Sequence, residues 1–215
     1  YNKTTSSNIH VKPPVPQNAP KFVKNVIGKI SQQEGNTIKT SEMPCDGTLP
    51  TGTTQYEKRN IAINIPVWNP ETCIQCGVCS LLCPHATIRM KVYDPKYLDK
   101  TPSTFKSCSA KGGALFKGLK FTLQVAPEDC TGCGNCVDNC LKKEEHAIKM
   151  MPQIPLRERE RENYDFFLNL PETDLKLFKP ATIKGSQFLR PLFEYSGACS
   201  GCGETAYIKL LTQLF

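Results

Sequence analysis

Pro70-Glu71-Thr72-Cys73-Ile74-Gln75-Cys76-Gly77-Val78-Cys79 and Pro127-Glu128-Asp129-Cys130-Thr131-Gly132-Cys133-Gly134-Asn135-Cys136 follow one ten-residue pattern. Each run reaches a fourth cysteine on the same spacing, Cys83 or Cys140, and each is followed by a short β-like stretch, 86–90 or 147–150. Ahead of the second run, Phe121, Leu123 and Val125 alternate with Lys120, Thr122 and Gln124, the pattern of a half-buried strand. Ile61, Ile63 and Ile65 alternate in the same way ahead of the first. Strand, cysteine loop, helix and strand, repeated, predict an α+β fold with a pseudo-twofold repeat.

The spacing selects the chemistry. Three cysteines at i, i+3 and i+6 on a straight helix would spread over roughly 9 Å. They converge on one compact group only where the backbone wraps around it as a loop. Gly77, Gly132 and Gly134 allow that wrapping and let backbone N–H groups approach the sulfurs. A [4Fe–4S] cubane uses such a loop. Structural zinc takes two separated CxxC pairs and has no use for a third cysteine in the same loop, twice over. Twelve cysteines also raise the possibility of a disulfide framework, but ten of them fall within three CxxC-containing runs, where neighbouring thiols suit a shared metal.

The totals bound the rest. The formal net charge is +7 with cysteines neutral, and two oxidised cubanes at about −2 each would lower it to about +3. That balance does not by itself suggest nucleic acid. No apolar run approaches the roughly 18–20 residues of a membrane span. The chain starts on Tyr1 without a secretory pattern, and its last stretch, Ile208 to Phe215, reads as an amphipathic helix without a capping signal. A fragment of a longer protein is therefore expected. Residues 1–60 read as an N-terminal arm and linker region, with a short helix over 21–30 stopped at Gly28. Residues 61–155 hold the cysteine-bearing domain, with a Lys-rich insert over 84–127. Residues 156–190 read as a connector whose Arg157-Glu158-Arg159-Glu160-Arg161-Glu162 alternates in sign and is solvated. The eight cations of the insert, Arg89, Lys91, Lys96, Lys100, Lys106, Lys111, Lys117 and Lys120, suggest either a solvated loop or a surface that steers an acidic partner.

Residues 61–151 resemble the bacterial-type two-cluster ferredoxins. Cys83-Pro84 matches that family's closing Cys-Pro, whereas Cys140-Leu141 keeps the spacing and loses the proline. In such ferredoxins the fourth cysteine ligates the other cluster. The resemblance therefore implies one cluster on Cys73, Cys76, Cys79 and Cys140, and a second on Cys130, Cys133, Cys136 and Cys83.

A third motif, Gly197-Ala198-Cys199-Ser200-Gly201-Cys202-Gly203-Glu204-Thr205, widens the resemblance. With Thr54 to Arg59, both cysteine runs and Lys184 to Tyr195, it looks like the ferredoxin-bearing part of the pyruvate:ferredoxin oxidoreductases and their flavodoxin- and NADP-linked relatives. That likeness implies that residues 191–215 open a thiamine-diphosphate domain. It puts Cys199 and Cys202 on a third [4Fe–4S] cluster and Glu204 near thiamine diphosphate and its Mg. The expected activity is oxidative decarboxylation of pyruvate with CoA in a homodimeric parent, located in the cytoplasm or the matrix of a mitochondrion-related organelle. Single electrons would pass to ferredoxin, flavodoxin or a fused flavin domain. No residue here is expected to act on pyruvate, and His85, beside Cys83-Pro84, reads as packing or as a modulator of a cluster. A stand-alone polyferredoxin and a zinc-based interaction module are the competing classes.

Overall fold

The computed structural model describes residues 15–215, so most of the proline-rich N-terminal arm lies outside the described residues. The chain forms two compact units, one running to Lys58 and one from Arg59 to Phe215. In the first, a π-helical turn (Val23–Ile27) runs directly into α1 (Gly28–Ser31). The expected stop at Gly28 does not occur. Gly28 is right-handed, at φ −59°, and its lack of a side chain serves packing, because a Cβ there would lie 3.2 Å from Val15. Val15, Ala19 and Val23 form a small buried cluster against Ile27 and Tyr56. The polar stretch that follows forms only isolated 3₁₀ turns.

The second unit is built on two antiparallel pairings. β1 (Asn64–Trp68) pairs with β5 (Ile148–Pro152), and β2 (Ile88–Tyr93) pairs with β4 (Lys120–Val125), whose other edge carries β3 (Cys108–Ser109). Each main pairing joins a strand next to one cysteine run to a strand next to the other. The first strand begins later than its alternation suggests. Ile61 and Ile63 are 58% and 84% exposed, and only Ile65 is fully buried. The backbone explains the shift: Asn60 is left-handed at φ 54° and donates its N–H to Glu128 O at 2.9 Å, outside any ladder. Pro66 is tolerated within β1 because a two-stranded sheet leaves one strand edge unpaired. Ile65, Trp68, Met90, Phe121, Leu123 and Ile148 fill the core, with Trp68 edge-on to Phe121 at 5.7 Å. Two short helices, α2 (Val78–Leu81) and α3 (Asn135–Asp138), follow the two cysteine loops and pack on each other.

The stretch read as a connector supplies the other side of the sheet. α4 (Arg157–Asn169) keeps its charged first turns near solvent, with Arg159–Glu160 and Arg161–Glu158 pairs. It then buries Tyr164 and Phe167 with Leu170 against Tyr93 and Ala126. The alternating charges pair along the helix as expected, but only Glu158 and Glu162 are exposed, and the apolar half of the helix makes a second core.

Half of the insert's cations are structural. Lys91, 1% exposed, donates to Phe167 O at 3.2 Å and Leu170 O at 2.6 Å and pairs with Glu172 at 3.0 Å. It thereby caps the carbonyl end of α4, where the helix dipole favours a cation. Arg89 is buried over the Phe167 ring and pairs with Glu194 at 3.8 Å. Lys106 donates to Trp68 O at 2.6 Å and Lys111 to Cys73 O at 2.9 Å. Only Lys96, Lys100, Lys111 and Lys117 are exposed. About half of the charge excess is thus engaged in internal bonding.

Phe167 is fully buried beneath these cations. Phe167→Ala is expected to cost about 3–5 kcal/mol, measured as a drop in unfolding free energy by denaturant titration at matched iron content.

Candidate metal centre

Each cysteine loop turns on left-handed residues. Gly77 and Gly134, both at φ 82°, sit immediately before α2 and α3. Two positions earlier stand Gln75 and Gly132, at φ 60° and 71°. A left-handed glutamine is strained unless its surroundings hold it. Gln75 is 1% exposed. Its Nε2 donates to Ser109 O at 2.8 Å and Cys108 Sγ at 3.3 Å, and its Oε1 accepts from Lys111 N at 2.7 Å. The insert therefore fixes the first loop, and Cys108 takes its place as part of that anchor. With the loops so turned, Gln75 N–H approaches Cys73 Sγ at 3.3 Å and Gly132 N–H approaches Cys130 Sγ at 3.4 Å.

Eight thiols ring two cavities. One is lined by Cys73, Cys76, Cys79 and Cys140 among Trp68, Phe121, Leu123 and Ile148. The other is lined by Cys83, Cys130, Cys133 and Cys136 with Pro66, His85 and Thr87. Each cavity takes three sulfurs from one loop and the last from the other run. All twelve cysteines are free thiols, and among the described residues no three His, Cys, Asp or Glu side chains are grouped to hold a single ion. Burial pushes the Cys130 thiol up to about 12, with the neighbouring sulfurs adding to it. Burial followed by crowding of sulfurs raises Cys79 and Cys136 well above the ordinary thiol range. Such thiols ionise only beside concentrated positive charge. Four of them around one apolar space match the donor set of an iron–sulfur cluster.

The third motif lies against the second loop and lines neither cavity. Ser200 Oγ donates to Thr131 O at 3.2 Å, and a Cβ on Gly201 would lie 3.5 Å from Cys133 Cβ. Cys199 is exposed. Cys202 precedes α6 (Gly203–Leu214), and the N–H groups of Thr205 and Glu204 in the first turn hold its thiol below the usual range. Glu204 is exposed in that turn, and Cys45 is exposed in the first unit.

His85 has a packing role and a contact with the second cavity. It is 2% exposed, its carbonyl accepts from Tyr195 N at 2.9 Å, and Nδ1 lies 3.1 Å from Ser196 Oγ. Its Nε2 is buried without a protein partner, and burial draws its pKa down. The residue that sequence reasoning missed is Lys209. Thr205, Lys209 and Gln213 form the buried stripe of α6, while Tyr207 and Leu211 are 77% and 58% exposed. The polar i, i+4, i+8 spacing was the available signal. Lys209 Nζ donates to Ser80 O, Leu81 O and Cys83 O at 2.5, 2.9 and 3.1 Å. Burial lowers its pKa to about 8, opposed by the adjacent sulfurs of Cys83 and Cys79.

Residues 72–144 match the family model of the 4Fe-4S dicluster domain, and residues 8–62 match one described as a domain of unknown function. The second compact unit thus contains a dicluster iron–sulfur domain of mixed α and β content. The chain is 54% identical over 210 residues to a putative pyruvate-flavodoxin oxidoreductase of Synechocystis sp., covering 95% of this chain and 17% of that protein. It is 50% identical over 210 residues to a probable pyruvate-flavodoxin oxidoreductase of Escherichia coli, covering 95% of this chain and 18% of the relative. With a pyruvate:ferredoxin oxidoreductase of Moorella thermoacetica the identity is 51% over 199 residues, 91% of this chain and 16% of the relative. The chain is therefore homologous, over nearly its whole length, to one segment of the pyruvate-flavodoxin and pyruvate:ferredoxin oxidoreductases. It spans about a sixth of their length. No helix among the described residues is long and apolar enough to cross a membrane.

The two hinge glycines separate strain from crowding. A Cβ on Gly77 would meet Met90 at 3.2 Å and the Lys184 backbone at 3.3 Å, whereas one on Gly134 would meet nothing nearer than Asp138 at 3.5 Å. Gly134→Ala is expected to cost about 1–2 kcal/mol from its left-handed backbone alone. Gly77→Ala should cost more, read as a larger loss of thermal stability in the reconstituted protein.

Proposed function

We propose that this chain is the electron-transfer segment of a pyruvate-oxidising enzyme that accepts CoA and relays single electrons from a thiamine site to ferredoxin, flavodoxin or a flavin domain. The observation that carries the reading is the partition of eight cysteines between two cavities, each completed by the other run's last thiol. In this reading Cys73, Cys76, Cys79 and Cys140 hold one [4Fe–4S] cluster, and Cys130, Cys133, Cys136 and Cys83 hold its twin. Bound there, such clusters supply one-electron carriers whose potentials respond to ligation, hydrogen bonding and exposure.

The chain's own groups do the rest. Trp68, Phe121, Leu123 and Ile148 line the first cage with apolar surface. The N–H groups of Gln75 and Gly132 soften the charge on Cys73 and Cys130. The crossed pairings β1–β5 and β2–β4 support a pseudo-twofold arrangement in which each half completes the other.

Residues 61–155 form the ferredoxin-like domain in this account, 1–60 the arm and linker, 156–190 the connector and 191–215 the opening of the thiamine-diphosphate domain. Cys199 and Cys202 contribute to a third cluster, with Glu204 toward thiamine diphosphate and Mg. The parent is a homodimer of the cytoplasm or of a mitochondrion-related organelle. The relatives cited are named as pyruvate oxidoreductases, which favours this reading over a stand-alone polyferredoxin.

Anaerobically reconstituted protein should hold about eight iron and eight sulfide on the two runs, counted by chemical analysis; zinc in their place would overturn the reading. Cys140→Ser should disturb the EPR signal of the centre built on the first loop and leave the second. The reverse result would refute the crossed ligation.

A further inference from the structure

Lys209 presents an unusual charge. Its side chain is 1% exposed, and no carboxylate among the described residues pairs with it. An ammonium in such a place is costly unless it meets an anion. Its three hydrogen bonds go to Ser80, Leu81 and Cys83 carbonyls. These belong to the short stretch that runs from Cys79, facing one cavity, to Cys83, facing the other. The acidic groups that act on it are the thiols of those same two residues. Ser80, Gln187 and Gln213 around it are neutral and bond to one another, Ser80 Oγ to Gln187 Oε1 at 3.0 Å and Gln187 Nε2 to Gln213 Oε1 at 3.2 Å. Among the described residues the position thus brings together a cation, neutral dipoles and two thiol cages.

We propose that Lys209 is the buried counter-ion shared by the two cages, raising the reduction potential of both centres together. The inference rests on the cluster reading of the eight cysteines. One-electron reduction of a cubane with four thiolates takes its charge from about −2 to about −3. A fixed positive charge favours the more negative, reduced form. Because the ammonium lies against the link between the cages, both couples feel it. Their potentials then move in parallel, and the driving force between the two centres changes little. Lys184 differs in this respect: the thiols that act on it are Cys73 and Cys76 of the first cage alone.

The test is EPR-monitored redox titration of the reconstituted full chain, with iron and sulfide counted beforehand. Lys209→Met keeps the length of the side chain and removes its charge. It should load to the parent level, and at fixed poise the reduced-to-oxidised ratio of both centres should fall about tenfold, which is 59 mV for a one-electron couple. Unchanged potentials, or a shift in one centre only, overturn the proposal. If Lys209→Met does not load, Lys209→Gln and Lys209→Arg decide. A loaded glutamine variant is read by the same criterion as Lys209→Met. Loading of the arginine variant alone supports a requirement for positive charge, whereas failure of arginine too marks a packing role and overturns it. A parent protein without iron would instead defeat the cluster reading itself.

Discussion

Cys83 lies four residues beyond Cys79, yet the two sulfurs face different cavities, and the second compact unit turns on that divergence. A chain that sends neighbouring thiols opposite ways must break its helix within a turn, and α2 is four residues long. It must also bring a distant run back to the first loop, and the strand pairings do this by joining β1 to β5 and β2 to β4. The left-handed glycines before α2 and α3 let both loops fold tightly enough to aim three thiols at one space. Loop, helix, strand order and core are thus consequences of one demand on sulfur positions.

The parts of this plan governed by local chemistry were legible in the sequence. The duplicated cysteine spacing and its glycines specify the loops, and the alternation from Lys120 to Val125 marks β4, although the strand is not half-buried as it predicts: Thr122 and Gln124 are buried as well. The misreadings came where a distant partner overrides the local pattern. Ile61 and Ile63 look like strand residues, but Asn60 is tied to Glu128 and the ladder starts three residues after Ile61. Gly28 looks like a helix stop, but Val15 packs where its side chain would be. Tyr164, Phe167 and Leu170 lie in a segment dominated by alternating charge, which concealed the helix that covers the sheet.

Charge was the least legible quantity. Composition counts Arg89, Lys91 and Lys209 with the solvated lysines, yet all three are buried. Each is held by backbone carbonyls, carboxylates or an aromatic face that lies far away in sequence. A surplus of positive charge in a sequence that carries thiolate clusters is therefore a weak guide to a docking surface. Part of it is consumed internally, in capping α4 and in gripping the stretch between the cages.

The reach of Lys209 back to Ser80 spans 129 positions, and this imposes an order on biosynthesis. A ribosome releases both cysteine runs well before it releases α6, and domains condense as they emerge. The three carbonyls between the cages therefore go without the Lys209 ammonium until α6 has been made.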